Sequence, residues 1–166
     1  MKKRWICLFV ENEIGVLARI AGLFSGKSYN LDSLTVGITE DSTISRMTIS
    51  LTSDDKTFEQ IKKQLNRSVE VIKVVDYTDI PVYMREILFV KVNSCSEEDI
   101  KELFRISKVF GVSIIDYDGT TVLLECIQRE NKNNDIVALL KRKFINRIEI
   151  VRGGSVAVEA LSISER

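Results

Sequence analysis

The sequence predicts an α+β protein built from two βαββαβ units in tandem. Short apolar segments that alternate with a period of two are interleaved with segments whose apolar residues recur every three or four positions. This order of strand-like and helix-like patterns runs through once before Pro81, the only proline, and a second time after it. The chain has 166 residues and is 45% hydrophobic, enough for one ordinary domain or two small ones.

Each element has its own signal. Trp5–Val10 reads as a strand whose two faces, Ile6/Leu8/Val10 and Trp5/Cys7/Phe9, are both apolar, so burial on both sides is expected. Leu17, Ile20, Ala21 and Phe24 follow at helical spacing and predict a helix with Leu17 in its buried stripe. Leu34, Val36 and Ile38 alternate through a second strand. The polar cluster Glu40–Thr43 is a turn, and Met47, Ile49 and Leu51 mark the strand after it. Ser53-Asp54-Asp55 is a helix start, with Phe58, Ile61 and Leu65 as the stripe, and Val69–Tyr77 closes the unit as a β-branched strand.

After Pro81 the pattern returns. Glu86–Val92 is a strand, and Ile100, Leu103 and Phe104 mark a helix. Val112–Tyr117 and Thr121–Ile127 flank the turn Asp118-Gly119. Ile136, Leu139, Leu140 and Phe144 mark the last helix, and Ile148–Val151 the last strand. The expected domains are residues 1–78 and 84–166, each with the ferredoxin-like order. Right-handed crossovers put both helices of a unit on one face of its sheet. An apolar first strand then points either to a partner surface on part of the other face or to a central strand that merely carries extra apolar residues.

Composition removes several function classes. Lys plus Arg equals Asp plus Glu at 24 each, without the basic excess that phosphate neutralisation favours. No apolar run is long enough to span a membrane as a helix. The basic start runs into the short apolar run Trp5–Val10 and then two glutamates, too short for a signal peptide, so a cytoplasmic protein is expected. Cys7, Cys95 and Cys126 match no metal-ligand spacing and read as small buried hydrophobes. Histidine is absent, which removes Ser-His and Cys-His catalysis and His-ligated metals. Carboxylate or lysine chemistry stays open, and Glu11/Glu13 are a carboxylate pair of sorts. An RNA-binding βαββαβ module would need stacking aromatics that "SRMTISL" lacks.

The stretch "ENEIGVLARIAGLFSGKSYNLDSLTV", continuing to "STISRMTISL", "QIKKQLNRSVEVIKVVD" and "REILFVKV", closely resembles the regulatory (small) subunits of acetolactate synthase, also called acetohydroxyacid synthase. Their N-terminal domain belongs to the ACT family of amino-acid-binding modules. The likeness is strong through Val92 and weaker beyond, where "FGVSIIDY" and "VRGGSVAVEAL" still echo the family. It implies a non-catalytic subunit, with neither catalytic residues nor a metal or cofactor of its own, in branched-chain amino-acid biosynthesis. Such a subunit activates a separate catalytic large subunit, expected to carry thiamine diphosphate, Mg and FAD, and transmits feedback inhibition, chiefly by valine. The alternative is an ACT-type amino-acid-binding module of another metabolic enzyme.

The family's effector lies where two ACT domains meet side by side in a homodimer. By the resemblance, its first-loop asparagine and glycine fall on Asn12 and Gly15, and the asparagine from the neighbouring chain on Asn30. Val16 is a further candidate for the effector's side chain. The chemistry agrees: glycine permits close backbone approach, and free N–H groups at a helix start favour a carboxylate. Asparagine amides meet carboxylate and ammonium alike without adding charge. Hydrogen bonds to charged groups contribute about 1.5–3 kcal/mol each, and burial of an isopropyl group about as much again. One departure is Ser28, where the family commonly has glycine before the Tyr-Asn pair.

Overall fold

The structure, a computed structural model, describes residues 1–26 and 29–161. Its elements run β1 (Lys2–Glu11), α1 (Val16–Ser25), β2 (Leu31–Ile38), β3 (Ile44–Ser53), α2 (Asp55–Leu65) and β4 (Val71–Asp76). They continue with β5 (Val82–Val92), α3 (Glu97–Phe110), β6 (Ser113–Tyr117), β7 (Val122–Gln128), α4 (Glu130–Lys143) and β8 (Ile148–Glu159). The predicted βαββαβ order therefore occurs twice. Two compact units result, one of residues 1–83 with the described residues from Val156 on, the other Met84–Ser155.

The first unit's sheet has the order β2-β3-β1-β4. β1 is antiparallel to β3, from Lys2↔Ser53 to Glu11↔Ile44, and to β4 on its other edge. Alternation sorts the side chains. Ile6, Leu8 and Val10 join Met47, Ile49 and Leu51 on one face, where Val16, Ile20 and Phe24 of α1 and Phe58, Ile61 and Leu65 of α2 cover them. Both helices thus share a face. Asp54 caps α2 by accepting from the Thr57 backbone N–H at 2.8 Å.

The opposite face of β1 is covered as well. Cys7, Thr48, Ser50 and Tyr77 are buried there, and part of the cover is the chain's own segment at Ala157, whose carbonyl accepts from Arg46 at 2.5 Å. In the second unit the sheet order is β6-β7-β5-β8. Leu88, Val90, Leu124 and Cys126 meet Leu103, Ile136, Leu140 and Phe144 of its two helices. α3 opens with a reciprocal Ser96–Asp99 capping box and ends on Gly111 at φ 63°. A buried polar group, Glu86, accepts from Arg152 through both carboxylate oxygens (2.8 and 2.7 Å) and from the Asn133 amide at 3.0 Å.

Two expectations need correction, for Leu17 and for the length of the last strand, and two apolar patterns are less buried than their spacing suggests. Leu17 is 46% exposed and Val16 is buried in its place. The helix begins directly after Gly15, so its stripe reads 16, 20, 24, and Leu17, about 100° on from Val16, falls at the edge of that stripe. Val36 and Ile38 are exposed because β2 is an edge strand; its Leu31 and Leu34 pack against the core. Phe104 is exposed, since the α3 stripe is Ile100, Leu103, Ile106 and Ser107. The last strand extends past Val151 to Glu159 although two glycines usually weaken a strand. Gly153 is needed there: a Cβ on it would lie 2.5 Å from Ile87 Cγ2.

All three cysteines are free and buried. Burial pushes the Cys126 thiol up from 9.0 to about 11, so its stabilising contribution is present below about 9 and lost as pH rises through about 11. Depressed carboxylates have the opposite sign. The Thr57 backbone N–H lowers Asp54, the Arg147 guanidinium lowers Asp99, and the Thr120 backbone N–H lowers Asp118. Their contribution holds above the unfolded carboxylate range and disappears as pH falls through the folded values. Thermal unfolding followed against pH should therefore show a plateau between about pH 5 and 8, with losses on both sides. The Cys126→Ala variant should lose less stability between about pH 9 and 11 than the parent, by about 2–3 kcal/mol.

Candidate functional site

The junction of β1 and α1 is braced before it is open. Glu11 N–H donates to Glu70 O at 3.0 Å, and Asn12 N–H donates to Thr43 O at 2.7 Å. The Asn12 amide donates to Ser42 O at 2.9 Å and accepts from Ser45 Oγ at 3.0 Å. It therefore retains one N–H and one lone pair for another partner. The β2–β3 turn that supplies these contacts is itself fixed. Asp41 accepts from the Thr43 hydroxyl at 2.6 Å and from the Thr43 N–H at 2.9 Å, and these bonds hold its carboxyl below the usual range.

Gly15 is the N-cap of α1 and has left-handed backbone, φ 88°. A helix start leaves its first N–H groups without intrahelical partners. Here Val16 N–H turns back to Glu13 O at 3.3 Å, while those of Leu17 and Ala18 have no partner among the described residues. There is no side-chain cap and no acidic residue in the first turn. In α2 and α3, Asp54 and Ser96 fill the equivalent positions. The positive end of the α1 dipole is thus uncovered where glycine keeps the approach clear. Arg19 adds charge to the same place. Its Nη1 lies 3.1 Å from where a Gly15 Cβ would stand, and its Nε pairs with Glu70 at 2.5 Å.

The expected site residues are distributed as follows. Asn12 and Gly15 are exposed and adjoin the open helix start, whereas the Val16 side chain is buried in the core. Asn30 is exposed immediately before β2. Within one chain, the Asn12 side chain bonds to Ser42 and Ser45. Ser28 lies outside the described residues. Arg19, Ser42 and Ser45 are contributors that the sequence reading missed. Helical side chains lean toward the N-terminus, so a residue four positions after a helix-opening glycine covers it; that spacing could have identified Arg19. Among the described residues no group of three or more His, Cys, Asp or Glu could hold a metal ion. None of their helices is long and apolar enough to cross a membrane.

Comparison with known proteins bears on both units. Residues 6–73 match a family model described as an AHAS small subunit-like ACT domain, and residues 85–160 match one described as the small subunit of acetolactate synthase. The acetolactate synthase small subunit of Aquifex aeolicus is 41% identical over 99% of this chain and 85% of its own length. The isozyme 3 small subunit of Salmonella typhimurium is 36% identical over 94% of each chain. The crystal structure of the Thermotoga maritima small subunit aligns with a TM-score of 0.86 at 32% identity, covering 98% of this chain and 100% of that one.

The Asn12→Ala variant should lose about 1 kcal/mol of stability, because both side-chain bonds to the β2–β3 turn disappear at an exposed position. Denaturant unfolding of the variant and the parent measures this directly. Equal midpoints would mean that the amide contributes nothing to bracing the loop.

Proposed function

The chain belongs to the acetolactate synthase small-subunit family, and we propose from that membership that it activates a separate catalytic subunit and carries valine feedback inhibition to it. The observation that carries the effector half of this reading is the uncapped start of α1. Open N–H groups beside Gly15 suit the carboxylate of an amino acid, and the spare capacity of the Asn12 amide suits its polar groups. In this reading Asn30 of a second copy completes the site, in a homodimer formed by side-by-side ACT domains. Exposure of Asn30 and of the apolar edge residues Val36 and Ile38 is consistent with that arrangement. Val16 contributes backbone, its side chain being committed to the core.

The catalytic partner supplies thiamine diphosphate, Mg and FAD, and the chain works in the cytoplasm beside it. The small-subunit match over residues 85–160 argues against an ACT module of some other enzyme, since it extends the likeness beyond the effector-binding fold. The division of labour follows the proposed boundaries, with effector binding in residues 1–78 and residues 84–166 serving the small subunit's other contacts.

Reconstitution with the catalytic subunit tests the reading. Addition of the chain should raise acetolactate formation, and valine should lower it. Gly15→Asp places a carboxylate where the effector's belongs, beside Arg19, and should weaken valine inhibition at least about tenfold, or about 1.4 kcal/mol, while activation persists. Loss of activation with normal valine binding would remove this loop from the effector site.

A mixed dimer of Asn12→Ala and Asn30→Ala chains tests the shared geometry. One site would carry both lesions and the other neither. Calorimetry should therefore recover about half the valine capacity of the parent, by the independence of well-separated sites. No recovery in an intact dimer would place both asparagines in a site within one chain.

A further inference from the structure

A recess lies on the first unit's sheet face away from the helices, at the β2 edge. It encloses about 390 Å³ and is lined by Phe9, Thr35, Gly37, Arg46, Thr48 and Val156 among others, a volume within the range of small-molecule sites. Phe9, Gly37 and Arg46 lie side by side across three strands, because Arg46 pairs with Phe9 in β1 and with Gly37 in β2. Cross-strand partners project on one face, so a side chain at position 37 would enter the recess. A Cβ built on Gly37 meets nothing within 4 Å. The recess exists in part because that residue is glycine.

Arg46 is held in place by neutral groups. Its Nε donates to Cys7 Sγ at 3.1 Å, and its Nη2 donates to Tyr77 Oη at 2.9 Å and Ala157 O at 2.5 Å. The Phe9 ring lies 5.5 Å from the guanidinium carbon. Its Nη1 group has no hydrogen-bond partner among the described residues, and no carboxylate there is within ion-pair distance. By contrast Arg4, buried in the same unit, is paired with Asp55, and Arg152 in the second unit is neutralised by Glu86 at both oxygens. A half-buried cation loses hydration without regaining it from an anion, and a guanidinium fixed in orientation is prepared to receive one.

We propose that this recess is a binding site for a small aliphatic carboxylate, with the carboxylate on Arg46 Nη1 and the aliphatic tail against Phe9 and Val156. A single cation, with Glu40 also lining the recess, suits a monoanion better than a phosphate dianion. The site lies on the face opposite α1, and Val36 and Ile38, the edge residues of the proposed dimer, also line it, so a second copy at that edge would border the recess.

The test is titration of the full chain with 3-methylbutanoate, the valine skeleton without its amino group, followed by calorimetry and by thermal shift, with inorganic phosphate and valine in parallel. Saturable binding of 3-methylbutanoate is expected. Gly37→Val fills the recess in a strand that favours β-branched residues, and should weaken that binding at least about tenfold. Arg46→Gln should do the same, and Gly37→Val keeps the test interpretable if the glutamine variant unfolds. Valine should still bind the Gly37→Val chain at its own site. Absence of saturable binding by the parent, or unchanged binding by Gly37→Val, would overturn the proposal. Phosphate binding as tight as the carboxylate would overturn the assigned class. If Gly37→Val abolished activation of the catalytic subunit while no carboxylate bound the parent, the recess would be a protein contact and the proposal would fail.

Discussion

β1 is bonded along both edges and buried on both faces, and the first unit is arranged by that double requirement. Its pairing with β3 holds without interruption from Lys2 to Glu11. A one-residue slip would carry Ile6, Leu8 and Val10 away from α1 and α2 and bring Cys7 and Phe9 to them. Register is therefore fixed by packing on two sides at once. The consequence at the strand's end is positional: Asn12 arrives beside Thr43 and Ser45 because Glu11 is already opposite Ile44. The loop that precedes Gly15 inherits its rigidity from the core.

The same register places Arg46 opposite Phe9 on the other face. Arg46 differs from other arginines of the chain: Arg4, buried in the same unit, is paired with Asp55. Arg152 and Glu86 form a bidentate pair, with the Asn133 amide completing the acceptor. Removing Arg152 would take its bidentate cation from the buried Glu86 carboxylate, a destabilising loss. Arg46 instead binds a thiol, a phenol and a carbonyl, which fix its direction without cancelling its charge. Its bond to Ala157 lies within the first unit, to which the described residues from Val156 on belong.

Most of the fold was legible because strand and helix periods alternate cleanly. The exposures of Val36, Ile38 and Phe104 share one origin: periodicity gives a face, and a face is buried only where another element covers it. Val36 and Ile38 alternate as buried residues do, yet they lie on an edge strand. Phe104 fits the α3 stripe by spacing and falls at its margin. Leu17 was misplaced for a different reason. The first turn of α1 is set by the left-handed Gly15, which fixes where the stripe begins, and that phase is not encoded in apolar spacing. The candidate loop was legible through Asn12 and Gly15, whereas Ser42, Ser45 and Arg19 reach it through pairing and side-chain direction. Arg46 escaped notice because a single arginine in a strand reads as solvated until its neighbours are known.

The bracing of Asn12 has a consequence for how a shared effector site would work. On the Asn12 side the amide, the turn and the helix start are already held by bonds within the chain, so little order is lost there when a ligand arrives. In the proposed dimer the remaining contacts come from Asn30 of the other copy, and their strength depends on how firmly the two edges are joined. Anything that binds the assembled site and not the separated chains stabilises the assembly, and the coupling is reciprocal. A preformed half-site therefore concentrates the ligand's differential free energy at the junction between chains. Allosteric couplings amount to about 1–3 kcal/mol, which the charge-assisted bonds of one asparagine can supply. Inhibition in this scheme needs no rearrangement within the ACT fold; a change in the spacing of two rigid copies would be enough to reach a catalytic partner.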